Sequence, residues 1–142
     1  MHPYQSQIDR MWNLINLKVR ASKNGFWIET VSLTYIILEI ELRLLLTSKA
    51  GKQGKPLSSS VIDKCNYLKS LADLALEEEF INPNLYDEII SFNKIRSDMT
   101  HGLIQGRIEY PQLEDVCKST SNIINKIQSL WLSITIGPEE SR

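Results

Sequence analysis

The run Ile36-Ile37-Leu38-Glu39-Ile40-Glu41-Leu42-Arg43-Leu44-Leu45-Leu46 decides the fold. It lies inside a helical pattern over residues 26–49 that is apolar nearly all round, through Val31, Tyr35, Ile37, Leu38, Leu42, Leu45 and Leu46. A helix apolar on every side must be covered on every side, so this one takes the centre of a helical bundle. Glu39, Glu41 and Arg43 interrupt the run, which is also too short for a transmembrane span of about 20 apolar residues.

Four further amphipathic patterns surround it, and no convincing strand alternation occurs. The first, over residues 5–21, carries Ile8, Met11, Ile15 and Val19 at helical spacing and ends near the turn dipeptide Asn24-Gly25. A third helix opens at Ser58-Ser59-Ser60, carries Val61, Cys65, Leu68, Ala72, Ala75 and Leu76, and closes around Phe80 behind Glu77-Glu78-Glu79. Pro83 starts a fourth helix as its first residue, and Gly102 stops it. The fifth opens at Pro111 and runs to about Ile134 on a stripe of Leu113, Val116, Thr120, Ile123, Ile127, Leu130 and Ile134. The fold expected is all-α, an antiparallel up-and-down bundle of four to five helices. Residues 1–136 form a single helical domain, with 137–142 a disordered tail.

Composition removes several function classes. The net charge is −1, which gives no basic blanket for non-specific duplex binding. It is uneven, however: residues 1–56 hold eight Lys/Arg against four Asp/Glu, and residues 57–142 hold eight against thirteen, so a local nucleic-acid contact stays open. The linker from Lys49 to Pro56 resembles part of a phosphate-binding loop, but Pro56 stands where Ser or Thr is needed for magnesium, and no strand precedes it. It reads as a solvated basic turn. The three consecutive glutamates point about 100° apart and form a solvated face rather than a metal site.

Cys65 and Cys117 fall in apolar helical registers, so both read as reduced, inert thiols, with a disulfide between them the alternative. The N-terminus shows no charged region followed by an apolar one, and the chain reads as cytoplasmic, without membrane contact. Trp12, Trp27 and Trp131 sit in or beside helical stripes, as core or interface residues before base-stacking platforms.

One segment combines a proton-transfer group, a phosphate-binding cation and a helix stop: Phe92-Asn93-Lys94-Ile95-Arg96-Ser97-Asp98-Met99-Thr100-His101-Gly102. Leu85, Ile89, Phe92, Arg96, Met99 and Leu103 follow a 4-3-4-3-4 spacing, so Arg96 occupies an inward slot and should be at least partly buried. A buried guanidinium needs a carboxylate, and Glu39 in the apolar second helix is the candidate. Spacing equally permits a local Glu39–Arg43 pair. A five-residue step leaves Arg96 and His101 about 140° apart on an unbroken helix. They converge only if the helix ends at His101. Asp98 or Ser97 could hydrogen-bond one ring nitrogen of His101 and fix its tautomer. The plainer account is a histidine resting against the last carbonyls of its helix.

An all-helical chain with Arg-Ser-Asp-Met-Thr-His-Gly at residues 96–102 and an acidic residue in an apolar second helix resembles the HEPN superfamily (higher eukaryotes and prokaryotes nucleotide-binding), whose hallmark is Arg-x4-6-His. The resemblance implies that Arg96 and His101 are a catalytic pair, supported by Asp98, Ser97 and Glu39. It further implies a homodimer that cleaves RNA, tRNA among the candidates, without metal or other cofactor, as a toxin or phage-defence effector restrained by an antitoxin or other partner protein. Two departures stand out. Ser97 fills a position where the family often has Asn, Asp or His, and Leu103 replaces the tyrosine of the branch whose toxins are adenylylated. Two other readings compete: a non-catalytic HEPN-like bundle that binds a nucleotide or a partner protein, and a helical adaptor unrelated to the family.

Overall fold

Among the described residues the chain forms six α-helices and no strand: α1 (Gln5–Lys23), α2 (Trp27–Lys52), α3 (Ser59–Asp63), α4 (Leu68–Glu77), α5 (Pro83–Ile104) and α6 (Gln112–Thr135). The computed structural model describes residues 5–52 and 59–135. His2, residues 53–56 of the basic turn expected over 49–56, the Ser58 cap and the tail over 137–142 lie outside them, as does the side chain of Ile134; residues 49–52 of that turn instead continue α2.

Helix α2 is central, packed against α1, α4, α5 and α6. Val31, Ile37, Leu38, Leu42, Leu44, Leu45 and Leu46 are buried on it. Its polar residues are accommodated one at a time. The buried hydroxyls of Thr30 and Thr34 donate to the carbonyls of Phe26 and Thr30, at 2.8 and 2.7 Å, within the helix itself. Arg43 reaches out of the bundle to donate to the carbonyls of Ile62 and Cys65, at 3.4 and 2.7 Å.

The turns follow from local chemistry. Gly25, at φ +72°, closes α1, with Phe26 N–H donating to Ala21 O at 2.9 Å and Gly25 N–H to Ser22 O at 3.1 Å. Asn82 caps α5 by accepting from Leu85 N–H at 2.8 Å, and Pro83 follows as the first helical residue. Beyond α5, the Tyr110 hydroxyl donates to Gly25 O (2.7 Å) and accepts from Trp27 N–H (3.1 Å), tying the α5–α6 loop to the α1–α2 turn.

Two expectations change. The third helix is two helices, because the chain breaks between Asp63 and Leu68. Arg43 satisfies carbonyls released there, and the Ser70 hydroxyl accepts from Tyr67 N–H and donates to Tyr67 O at the start of α4. Gly102 does not stop the fourth helix, now α5, which continues to Ile104. The left-handed residue that ends it is Gly106, at φ +74°. The acidic run stays in solvent, and Glu79 takes a left-handed φ of 61° where α4 turns off. Both cysteines are free and buried, and burial pushes the Cys117 thiol up to about 11.

Glu41 is a costly residue in the core. It is fully buried, and neither carboxylate oxygen has a hydrogen-bond partner of good geometry. Burial raises its carboxyl well above the usual 4.5, opposed by Gln128 of α6 and by the Lys18 ammonium of α1. Lys18 is itself held low by burial, opposed by Cys117 and Glu41, and rests 3.4 Å from Ser121 Oγ. A folded carboxyl that keeps its proton above the unfolded value makes stability fall as pH rises from about 4.5 through the raised value. Urea unfolding at pH 5 and pH 8 should show this loss in the parent and none in Glu41→Gln. Glu41→Leu should be more stable at pH 8 by about 1–3 kcal/mol, because the buried group without a partner is gone.

Candidate functional site

Arg96 and His101 both lie on the last three turns of α5, and both are exposed. The buried residues of α5 are Leu85, Ile89, Phe92, Met99 and Gly102, with Ile95 half-buried in the slot that the sequence spacing assigns to Arg96. A step of three from Phe92 turns 60° one way and a step of four turns 40° the other, so either residue can face inward. Ile95 does, which removes the burial cost of a charge.

The Arg96 guanidinium rests on a ring instead, 4.0 Å from the centroid of Tyr35. That cation–π contact is worth about 0.5–1 kcal/mol at an exposed position and leaves one face of the guanidinium open. Tyr35 binds on two more sides. Its hydroxyl accepts from Leu68 N–H at 3.4 Å and lies within hydrogen-bonding range of the Glu39 carboxylate. Burial raises the Tyr35 hydroxyl, as do the hydrogen bond and charge of Glu39, while Leu68 N–H and the Arg96 charge oppose it.

Neither expected pairing of Glu39 occurs. Among the described residues it forms an ion pair with neither Arg96 nor Arg43, and its partner is Tyr35. Tyr35 is the site residue that sequence reasoning placed only in the apolar pattern. Its signal was the i,i+4 spacing to Glu39.

The expected support for His101 is also committed elsewhere. Asp98 holds Arg107 in a two-pronged pair, at 2.6 and 3.1 Å. That bond holds the Asp98 carboxyl below its ordinary value, helped by the charges of Arg107, His101 and Lys94 and opposed by slight desolvation. Ser97 donates to the carbonyl of Lys94 at 3.1 Å, one turn back on its own helix. Neither residue therefore fixes the imidazole tautomer. His101 does not end the helix either: its carbonyl accepts from Gln105 N–H at 2.9 Å. The two residues keep the separation of about 140° that an unbroken helix imposes.

What the arrangement does provide is a cationic helix end. Lys94 and Arg107 stand there around one carboxylate, Asp98, with His101 beside it, while Arg96 lies over the Tyr35 ring. Such a surface attracts a phosphate. The cleft that α5 forms with α6, about 420 Å³, is lined by Phe92, Ile95, Val116 and Ile123 and crossed by the Lys126–Glu88 pair at 2.8 Å, and takes in neither Arg96 nor His101. Among the described residues, no group of three His, Cys, Asp or Glu side chains is placed to hold a metal ion, and no helix is long and apolar enough to cross a membrane. Comparison of the chain with family models, curated proteins and solved structures gives no match.

Gly102 still matters here, as a place of close approach. A Cβ on it would meet Ile108 Cδ1 at 2.5 Å and Cγ1 at 2.7 Å, and Ile108 N–H is bonded to Gly102 O at 3.0 Å. Gly102→Ala should therefore destabilise by about 1–3 kcal/mol through overpacking, beyond the roughly 1 kcal/mol of helix propensity it regains. Thermal unfolding checks this, with Ile108→Ala in the same chain expected to recover much of the loss.

Proposed function

We propose that this protein is an endoribonuclease of the HEPN type, working through Arg96 and His101. The observation that carries the reading is that both side chains are exposed and neither is held by a carboxylate: Asp98 is engaged by Arg107 and Glu39 by Tyr35. A guanidinium propped on a ring with one face open can meet a phosphoryl oxygen, and an uncommitted imidazole can carry a proton.

In this reading His101 takes the proton from a ribose 2′-hydroxyl. The 2′-oxygen attacks phosphorus and the bond to the 5′-oxygen breaks, leaving a 2′,3′-cyclic phosphate. The departing 5′-oxygen is protonated to a 5′-hydroxyl, and Arg96 stabilises charge on the non-bridging oxygens. One histidine in one chain is poorly placed to be both base and acid, so the proposal includes a homodimer in which His101 of the second copy supplies the other proton. RNA, tRNA included, is the substrate class, and an antitoxin or other partner protein is part of the same proposal.

A second reading, a non-catalytic bundle that binds a nucleotide or partner through the same cationic helix end, is favoured by a specific observation. His101 lacks an orienting partner in Asp98 or Ser97 and stands about 140° from Arg96 around the helix. Incubation of the purified chain with tRNA and mixed RNA in EDTA separates the two. The first reading requires cyclic-phosphate ends whose formation drops at least ~100-fold in both Arg96→Ala and His101→Ala, with folding matched by circular dichroism. RNA that is bound but left intact, or cut equally by the variants, leaves the binding module.

A further inference from the structure

A cation and an anion share the Tyr35 ring without pairing. The Arg96 guanidinium lies over its face, 4.0 Å from the centroid. At the hydroxyl edge stand the half-buried Glu39 carboxylate and Leu68 N–H, the latter 3.4 Å from the hydroxyl oxygen. Both charges therefore lie within about 6 Å of one ring centre, the cation above it and the anion at its edge. Among the described residues they form no ion pair with each other, and Glu39 forms none with any other cation. A carboxylate can accept at about four positions, and the Tyr35 hydroxyl takes one. Tyr67 completes the cluster. It precedes Leu68 in the chain, so its Cα is within about 6 Å of the Tyr35 hydroxyl. It is 69% exposed, at an N-cap where a small polar residue is the usual choice. Ser70 makes the local hydrogen bonds to the Tyr67 backbone, and the ring is left to solvent.

We propose that this cluster is a guanine-selective subsite, in which Glu39 accepts from the N1–H and the 2-amino group of the base, Tyr67 stacks on it and Arg96 meets the phosphate. The selectivity follows from the carboxylate. An ionised carboxylate only accepts, so it fits an edge with two donors side by side. Guanine alone among the four RNA bases has such a Watson–Crick edge. Adenine and cytosine set one amino group beside a ring-nitrogen acceptor, and uracil sets one N–H between two carbonyls. Each of those acceptors repels the second carboxylate oxygen. Because Glu39 is half-buried, water is a poor substitute for the missing donor, which sharpens the discrimination.

The placement of the charges suits a nucleotide. A simple anion would satisfy Arg96 and be repelled by Glu39, and a simple cation would do the reverse. A ligand that satisfies both carries its negative charge apart from its pair of neutral donors, as a nucleotide carries phosphate and base. Exposed aromatic rings and guanidinium planes beside such acceptors are also how single-stranded bases are held. The subsite rests on the reading that Arg96 meets a phosphate, which RNA cleavage and nucleotide binding share, and asks nothing of His101.

Isothermal titration calorimetry on the full chain tests it, with the 5′-monophosphates of guanosine, inosine, adenosine, cytidine and uridine. Guanosine monophosphate should bind at least ~10-fold more tightly than those of adenosine, cytidine and uridine, with inosine, which lacks the 2-amino group, in between. Glu39→Gln keeps an acceptor for the Tyr35 hydroxyl and should erase the guanine preference. Tyr67→Ala should weaken all the nucleotides alike, by roughly 10-fold. Oligonucleotides with 2′-O-methyl groups, which cannot be cut by 2′-hydroxyl attack, separate the sources of the base: a guanine bound more tightly within a strand belongs to RNA, and one bound equally well alone belongs to a free nucleotide. Absence of binding, equal binding of all five nucleotides, or a guanine preference that survives in Glu39→Gln would overturn the assignment. Binding is read without cleavage, so a guanine preference in a protein that leaves RNA intact removes the nuclease alone. RNA cut by a protein that binds all bases equally removes this subsite alone.

Discussion

Everything in this molecule is arranged around the enclosure of α2. Its apolar residues point in every direction, so four other helices pack against it, and each polar group it carries has to be resolved where it stands. Two threonines turn their hydroxyls back onto the helix. Arg43 escapes sideways and finds the carbonyls left open after α3, which in turn fixes where that short helix ends. Tyr35 and Glu39 face the start of α4 and the end of α5, and so become the platform of the candidate site. Glu41 has no such exit. Burial pushes its carboxyl up and leaves it without a hydrogen-bond partner of good geometry, a cost that the surrounding apolar burial must offset.

The legible parts of the fold are those set by periodicity and by caps. The central helix, the Asn24-Gly25 turn and the Pro83 start could be read from a few consecutive residues, because the forces that make them act over one or two turns. The division of the third helix could not, since part of what stabilises the break is an arginine about twenty residues upstream. Nor could the end of α5. Gly102 and Gly106 are four residues apart, and each could be the left-handed stop. Tertiary contact decides, because Ile108 packs against Gly102 and leaves Gly106 to turn the chain. A glycine needed for room and a glycine needed for its φ look alike in a sequence.

The candidate site shows the same split between residue type and partner. Which side chains could meet a phosphate or move a proton was legible at Arg96 and His101; which partners they keep was not. Each proposed contact had a competitor. Arg107 outbids His101 for Asp98 because a guanidinium binds a carboxylate through two bonds and an imidazole through one. Tyr35 takes Glu39, and the α3 carbonyls take Arg43. Arg96 is left with the ring, because Ile95 fills the inward position more cheaply than a charge would.

Two fixed points then limit what one protomer can do. Arg96 sits over Tyr35, and the loop after α5 is tied through Tyr110 to Gly25 and Trp27, so α5 runs antiparallel to α2 in this region. From Arg96 to Ile104 is eight residues, as is the step from Trp27 to Tyr35, and each spans about 12 Å of helix. The match leaves α5 little freedom to slide or turn about its axis. His101 is accordingly held about 7.5 Å along the helix from Arg96 and on another side of it. Two groups so placed on one rigid cylinder meet a phosphate from neighbouring sides, through the length of the arginine arm, and not from opposite ones. In-line cleavage asks for a base and an acid on opposite sides of phosphorus, and in the RNA-cleaving reading that demand passes to the second chain. The same rigidity suits simple binding, where a strand lying along α5 would touch the two groups at successive points and need nothing from the other side.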